Sequence, residues 1–166
     1  MDVFCEYIVK KQRNSKDIAI IIGAYFFAFV LTVLFAGVGI KYFNGIGLLI
    51  ICAFWYTAVQ VMKSRYIEYE YALTNNELDI DKIVAQKRRK HIMTVDFNNI
   101  ELCAKVNSEN PDIGREVKQY DFTGESENDI YFVDYTDENG RIRVLFQPTD
   151  KMKESIRLIN PRNVRI

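Results

Sequence analysis

The stretch Tyr66–Ala85, YIEYEYALTNNELDIDKIVA, decides the fold. Ile67, Tyr69, Tyr71 and Leu73 alternate with Tyr66, Glu68, Glu70 and Ala72, and beyond a polar break Leu78 and Ile80 alternate with Asp79 and Asp81. A period of two sends successive side chains to opposite faces of an extended chain, so each run reads as a strand with one face to bury. Thr74-Asn75-Asn76-Glu77 reverses the direction, because Asn tolerates the left-handed backbone that a tight hairpin turn requires. The stretch therefore predicts a β-hairpin.

Immediately before it the chemistry is different. Ile18–Ile40 and Tyr42–Met62 contain no charged residue, and only Lys41 separates them. Each run reaches the roughly 20 residues that an α-helix needs to cross about 30 Å of hydrocarbon. The first is apolar around its whole circumference, unlike the striped helix of a soluble core. It is also longer than the apolar segment of a cleaved signal peptide. Gly37, Gly39, Asn44, Gly45 and Gly47 break the apolar pattern around Lys41, which predicts a helical hairpin with a short connection. The mean hydropathy of −0.10 averages two unlike halves and describes neither. Lys10, Lys11, Arg13 and Lys16 precede the first run and Lys63 and Arg65 follow the second. The excess of basic residues at these ends predicts that both termini are cytoplasmic in a multi-pass protein of the cell membrane. Cys5, Cys52 and Cys103 lie far apart, without the spacing of a disulfide framework or a metal site.

Past the hairpin the alternation continues over Lys90–Val95, Ile100–Val106, Val117–Thr123, Ile130–Thr136 and Arg141–Gln147. The segment 107–116 reads as the longest loop, and Asp137-Glu138-Asn139-Gly140 as a turn with Gly supplying positive φ. Thr149 or Asp150 can cap a helix whose Met152, Ile156 and Ile159 form one apolar face, with Asn160-Pro161 ending it. Parallel pairing looks disfavoured, because it needs crossovers of a dozen or more residues.

Seven strands and a closing helix give the chain its resemblance to a bacterial pleckstrin-homology-like domain preceded by two transmembrane helices. The residues that carry it are YALTNNELDI (71–80), RRKHIMTVDFNNIEL (88–102) and TDKMKESIRLI (149–159). The expected architecture is thus an α+β membrane protein with a transmembrane helical hairpin followed by a seven-stranded, antiparallel, partly open barrel and a C-terminal helix. Its parts are an N-terminal segment 1–16, a hairpin 17–63 with helices at about 18–40 and 43–62, and a barrel domain 64–166 with its helix at about 149–159. A fragment from Ser64 is expected to fold alone.

Little in this sequence carries chemistry. There is no G-x-S-x-G, phosphate-binding Gly loop or H-E-x-x-H, so no catalytic, cofactor or metal residues are assigned and the chain is expected not to be an enzyme. His91 falls on the alternation of Met93 and Val95 and reads as a packing position. Asp79 and Asp81 share a strand face, the usual pattern of a solvated surface. Lys87, Arg88, Arg89 and Lys90 are the one cluster suited to anionic lipid headgroups, worth about 1 kcal/mol per cation near a membrane surface. Residues 66–166 carry 15 Lys and Arg against 19 Asp and Glu, a net charge of −4, so such contact must be local and nucleic-acid binding is not expected. The acidic surroundings of the Thr74–Glu77 turn argue against polyphosphate recognition there. Tyr120, Phe122, Tyr131, Phe132, Tyr135 and Phe146 read as core, or as a groove for a partner peptide. The expected role is a membrane-anchored adaptor or scaffold that binds protein or lipid headgroups; the alternative is an accessory subunit of an integral-membrane enzyme or transporter.

Overall fold

The computed structural model describes residues 4–43, 46–106, 117–126, 128–138 and 140–166. They form two compact units, Met1–Gln12 with Ile67–Ile166, and Arg13–Tyr66.

The second unit holds the two apolar helices, α1 (Ser15–Phe43) and α2 (Ile46–Ser64). Ser15–Gly37, with a mean hydropathy of 2.7, and Ile46–Ser64, at 1.6, are long and apolar enough to cross a membrane. Both extend past the charge-free runs, because Lys16, Asp17 and Lys63 are also helical. Asp17 sits in the first turn of α1 and meets Arg65 at 3.6 Å. Between the helices, Ala28 packs out of solvent on α1 and Ala58 on α2. Trp55 Nε1 donates to Thr32 Oγ1 at 3.1 Å, and Phe35 meets Phe54 edge-on. The turn expected around Lys41, between helices at about 18–40 and 43–62, is not there: α1 continues through Lys41 to Phe43, and α2 begins at Ile46.

The other unit is built on two sheets. The first has the order β1-β2-β3-β4, from β1 (Phe4–Lys10), β2 (Ile67–Thr74), β3 (Glu77–Val84) and β4 (Arg88–Asp96). The second has the order β6-β8-β7-β5-β9, from β5 (Leu102–Lys105), β6 (Lys118–Asp121), β7 (Tyr131–Asp137), β8 (Gly140–Phe146) and β9 (Val164–Arg165). The predicted hairpin is β2–β3, with Asn75 at φ 54° in its turn. A short 3-10 turn, Phe97–Asn99, leads from the first sheet to the second, and its Phe97 is buried. Among the described residues the two sheets share no ladder, so the barrel they form is not closed.

Tyr71, Leu73, Leu78, Ile80 and Val95 from the first sheet face Val133, Val144, Phe146 and Cys103 from the second, all essentially out of solvent. Helix α3 (Asp150–Ile159) adds Met152 and Ile156 to this core. Its N-cap is Thr149, whose side chain accepts from the Met152 N–H. The Tyr71 hydroxyl donates to the Phe122 carbonyl at 2.7 Å, which satisfies a polar group that burial would otherwise penalise.

Three expectations are corrected. The expected N-terminal segment 1–16 is, over its described residues 4–16, not a segment apart, since β1 pairs antiparallel with β2 over its full length and Ser15 and Lys16 begin α1. Cys5 and Val9 point into the core, and Val9 is 1% exposed. The Lys10 carbonyl accepts from Glu125 N–H at 2.8 Å, and Tyr7 Oη lies 3.0 Å from Ser126 Oγ. A fragment from Ser64 therefore lacks a core strand. The strands also number nine among the described residues, β1 and β9 joining the expected seven. Nor is the pairing all antiparallel: β6 runs parallel to β8, and β5 to β9. The crossover that parallel pairing requires is supplied by a strand, because β7 carries the chain back between β6 and β8. The loop expected at 107–116 lies outside the described residues.

Candidate functional site

The basic segment lies in and after the β3–β4 turn. Lys87 N–H donates to the Val84 carbonyl at 3.1 Å, with Ala85 at φ 54° and Gln86 at φ 55°. This is the left-handed geometry that favours Asn-Gly, met here by two residues that pay for it in backbone strain. Register fixes where the turn sits. Lys10, Glu68, Ile83 and Arg89 form one row across the sheet, and Ile67, Val84 and Arg88 the next. Lys87 to Lys90 thus lie at the same end of the first sheet as Lys10 and Ile67, where the chain leaves this unit for the helices and returns from them.

The four cations are not equivalent. Arg89 turns onto the outer face, where its guanidinium meets both carboxylate oxygens of the buried Glu70 at 2.8 and 2.7 Å and lies 4.0 Å from Asp81. Lys87, Arg88 and Lys90 are exposed and make no ion pair among the described residues. Sequence proximity groups four charges; the structure leaves three free.

His91 is displaced from its expected position. The β3–β4 register shifts between Ile80 and Asp81, so Met93 faces Ile80 while His91 faces Asp81, and Ile92 is the extra residue. A β-bulge reverses the facing of everything beyond it. His91 consequently joins Asp79 and Asp81 on the outer face instead of Met93 and Val95 on the inner one. There these residues, with Glu6, Glu70, Ala72, Arg89 and Thr94, line a depression of about 420 Å³.

Inside it, His91 Nδ1 lies 2.9 Å from Asp81 Oδ1, and Nε2 lies 3.3 Å from Thr94 Oγ1. That order mimics a hydroxyl, base and orienting acid. The Thr94 hydroxyl, however, donates to Asp79, so its proton is directed away from His91. Among the described residues no group of three or more His, Cys, Asp or Glu side chains could hold a metal.

Most of the aromatic set is core. Phe122, Tyr131, Phe132 and Phe146 are buried and Tyr135 half-buried; only Tyr120 is exposed, stacked on Phe122 at 6.3 Å. Sequence reasoning missed the pair at Asp134 and Arg143, fully buried and joined by two 2.6 Å hydrogen bonds, with the guanidinium 4.3 Å from the Phe132 ring centre. Acidic and basic residues on adjacent strands look alike in sequence whether or not they are buried together.

A four-stranded sheet packed on a second sheet, with a C-terminal helix that adds Met152 and Ile156 to their shared core, is the arrangement of a PH-like domain. The family model described as Bacterial PH-like domain (DUF6106) matches residues 1–166, and the chain belongs to that family. No curated protein and no solved structure matches it. The family description names a fold and a bacterial distribution, and no activity.

Proposed function

We propose that this is a non-enzymatic, membrane-anchored adaptor. In this reading α1 and α2 span the cell membrane, both termini are cytoplasmic, and the PH-like domain rests its basic end on anionic headgroups while the remainder is open to a protein partner. The observation that carries it is the register: Lys87, Arg88 and Lys90 lie at the end of the sheet where the chain leaves for the helices. The pairing of β1 with β2 supports the topology independently of charge, since strands flanking the hairpin can share a sheet only on one side of a bilayer. Three free cations at about 1 kcal/mol each are enough to orient a tethered domain, and give a free one only weak binding.

The test uses the full chain, with Cys52→Ser, reconstituted in bilayers with and without anionic lipid. A spin label at Gln86→Cys should show headgroup-level quenching that strengthens with anionic lipid and weakens with salt. A label at Asn75→Cys, in the turn at the other end of the sheet, should stay aqueous. Equal behaviour at the two positions would reject the orientation.

A further inference from the structure

The outward faces of the two apolar helices differ in chemistry. On α1 the large exposed side chains are Ile18, Ile20, Ile22, Phe26, Phe27, Phe29, Val33 and Leu34, a surface suited to lipid tails. On α2 the exposed residues after Leu48 and Leu49 include Cys52, Tyr56 and Gln60, spaced four apart and so on one face. Tyr56 is 64% exposed, and Gln60 Nε2 donates to its Oη at 2.6 Å. This bond spends one of the two amide N–H donors and leaves three groups without a partner among the described residues: the second amide N–H, the Gln60 carbonyl, an acceptor, and the Tyr56 O–H, a donor. Because the amide reaches the hydroxyl directly, these groups lie at one level along the helix. Gln60 is four residues from the end of α2, about 6 Å, and Tyr56 about 12 Å; with α2 spanning about 30 Å of hydrocarbon, both fall inside it, where no water satisfies an unpaired polar group.

We infer that this face of α2 binds the same face of a second copy of the chain within the bilayer. The inference rests on the membrane reading above. The choice of a second copy follows from the unpaired groups themselves. A two-fold axis along the membrane normal brings two α2 helices together at equal depth, so the Tyr56 O–H of each copy meets the Gln60 carbonyl of the other. A donor and an acceptor at one level on one surface complement themselves, as an isologous contact requires. Lipid tails offer neither group a partner, whereas hydrogen bonds between helices hold such pairs in membranes. Cys52, one turn beyond Tyr56, then falls near the same seam.

Cys52 supplies the probe, because Cys5 and Cys103 are buried and Cys52 is exposed. Membranes containing the full chain are first extracted with alkaline carbonate. Release of the chain there would reject the membrane reading itself, so that failure is distinguished from failure of the dimer. Copper-phenanthroline oxidation of retained protein should then give a disulfide-linked homodimer through Cys52. With Cys52→Ser and Ile22→Cys, which moves the thiol to the outward face of α1, the dimer should be lost. Replacing Gln60 by Leu or Tyr56 by Phe should lower the Cys52 dimer about three- to tenfold, the scale of one or two hydrogen bonds between helices. Equal cross-linking from Ile22 and Cys52, an undiminished dimer in both variants, or a Cys52 adduct only with a different protein would overturn the inference.

Discussion

Removing β1 should unfold the domain, and closing the chain without the helices should rescue it. Val9 is 1% exposed and Cys5 7%, so losing the strand forfeits about 1.5–3 kcal/mol for Val9 alone, with a smaller share for Cys5. It also opens the ladder along β2 and uncovers Tyr71 and Leu73, both 0% exposed. The total, at least about 4 kcal/mol, approaches the whole stability of a typical domain, about 5–15 kcal/mol. The same structure shows how to restore it. Lys11 N–H donates to the Ile67 carbonyl at 3.0 Å, so the strand ends are already adjacent and antiparallel. Replacing residues 13–65 by Asn-Gly would join them as an ordinary hairpin. Urea melts followed by circular dichroism compare this closed domain with a fragment from Ser64. The closed domain should melt cooperatively, and the fragment should show no cooperative transition or should aggregate. Within the closed domain, Val9→Ala should cost about 2 kcal/mol. A fragment from Ser64 as stable as the closed domain would refute the reasoning.

Further outcomes can be read on the same closed domain. A Cβ at position 124 would meet the Lys10 carbonyl and Val9 Cγ1, so Gly124→Ala should destabilise by about 1–3 kcal/mol in urea melts. Ala85 and Gln86 both hold positive φ, and Ala85→Asn with Gln86→Gly should raise stability by about 1 kcal/mol in the same melts. Replacing Lys87, Arg88 and Lys90 by Ser should abolish weak, salt-sensitive pelleting with anionic vesicles, whereas Arg89→Ser, which removes a cation already paired with Glu70, should change it little. Burial pushes the Cys103 thiol and the Tyr71 hydroxyl well above their usual ionisation ranges. Unfolded cysteine ionises near pH 8.5 and tyrosine near 10, while the folded chain keeps those protons. Stability should be full below about pH 8.5 and fall as pH rises, and Cys103→Ala should flatten the fall between about pH 8.5 and 10 in pH-dependent melts.

Strands β2 to β8 and helix α3 were legible because each repeats a period over several residues and ends at a turn or cap with its own chemistry. Thr149 capped the helix as its position suggested. β1 was legible in principle, since Cys5, Tyr7 and Val9 alternate with Glu6, Ile8 and Lys10, but a strand whose partner lies some 60 residues away beyond two helices gives no local sign of pairing. Two-residue β9 gives no periodic signal at all. His91 was misplaced for a sharper reason: alternation assumes an unbroken ladder, and one extra residue at Ile92 inverts the face without altering the pattern. Of the candidate site, the cluster of cations was visible and its pairing was not, because the carboxylate that takes Arg89 sits two strands away on Glu70.

The shared sheet of β1 and β2 is tested most directly by a cross-strand disulfide in the full chain. Glu6 and Ala72 are register partners on the outer face. Lys11 and Ile67 form a hydrogen-bonded pair, so alternation makes Glu6 and Ala72 a non-hydrogen-bonded one, the kind whose side chains approach most closely. Glu6→Cys combined with Ala72→Cys, oxidised in native membranes and digested for mass spectrometry, should give a linked peptide joining positions 6 and 72 within one chain. Two free thiols that both take up maleimide, with no such link, would contradict the pairing and with it the single-sided topology.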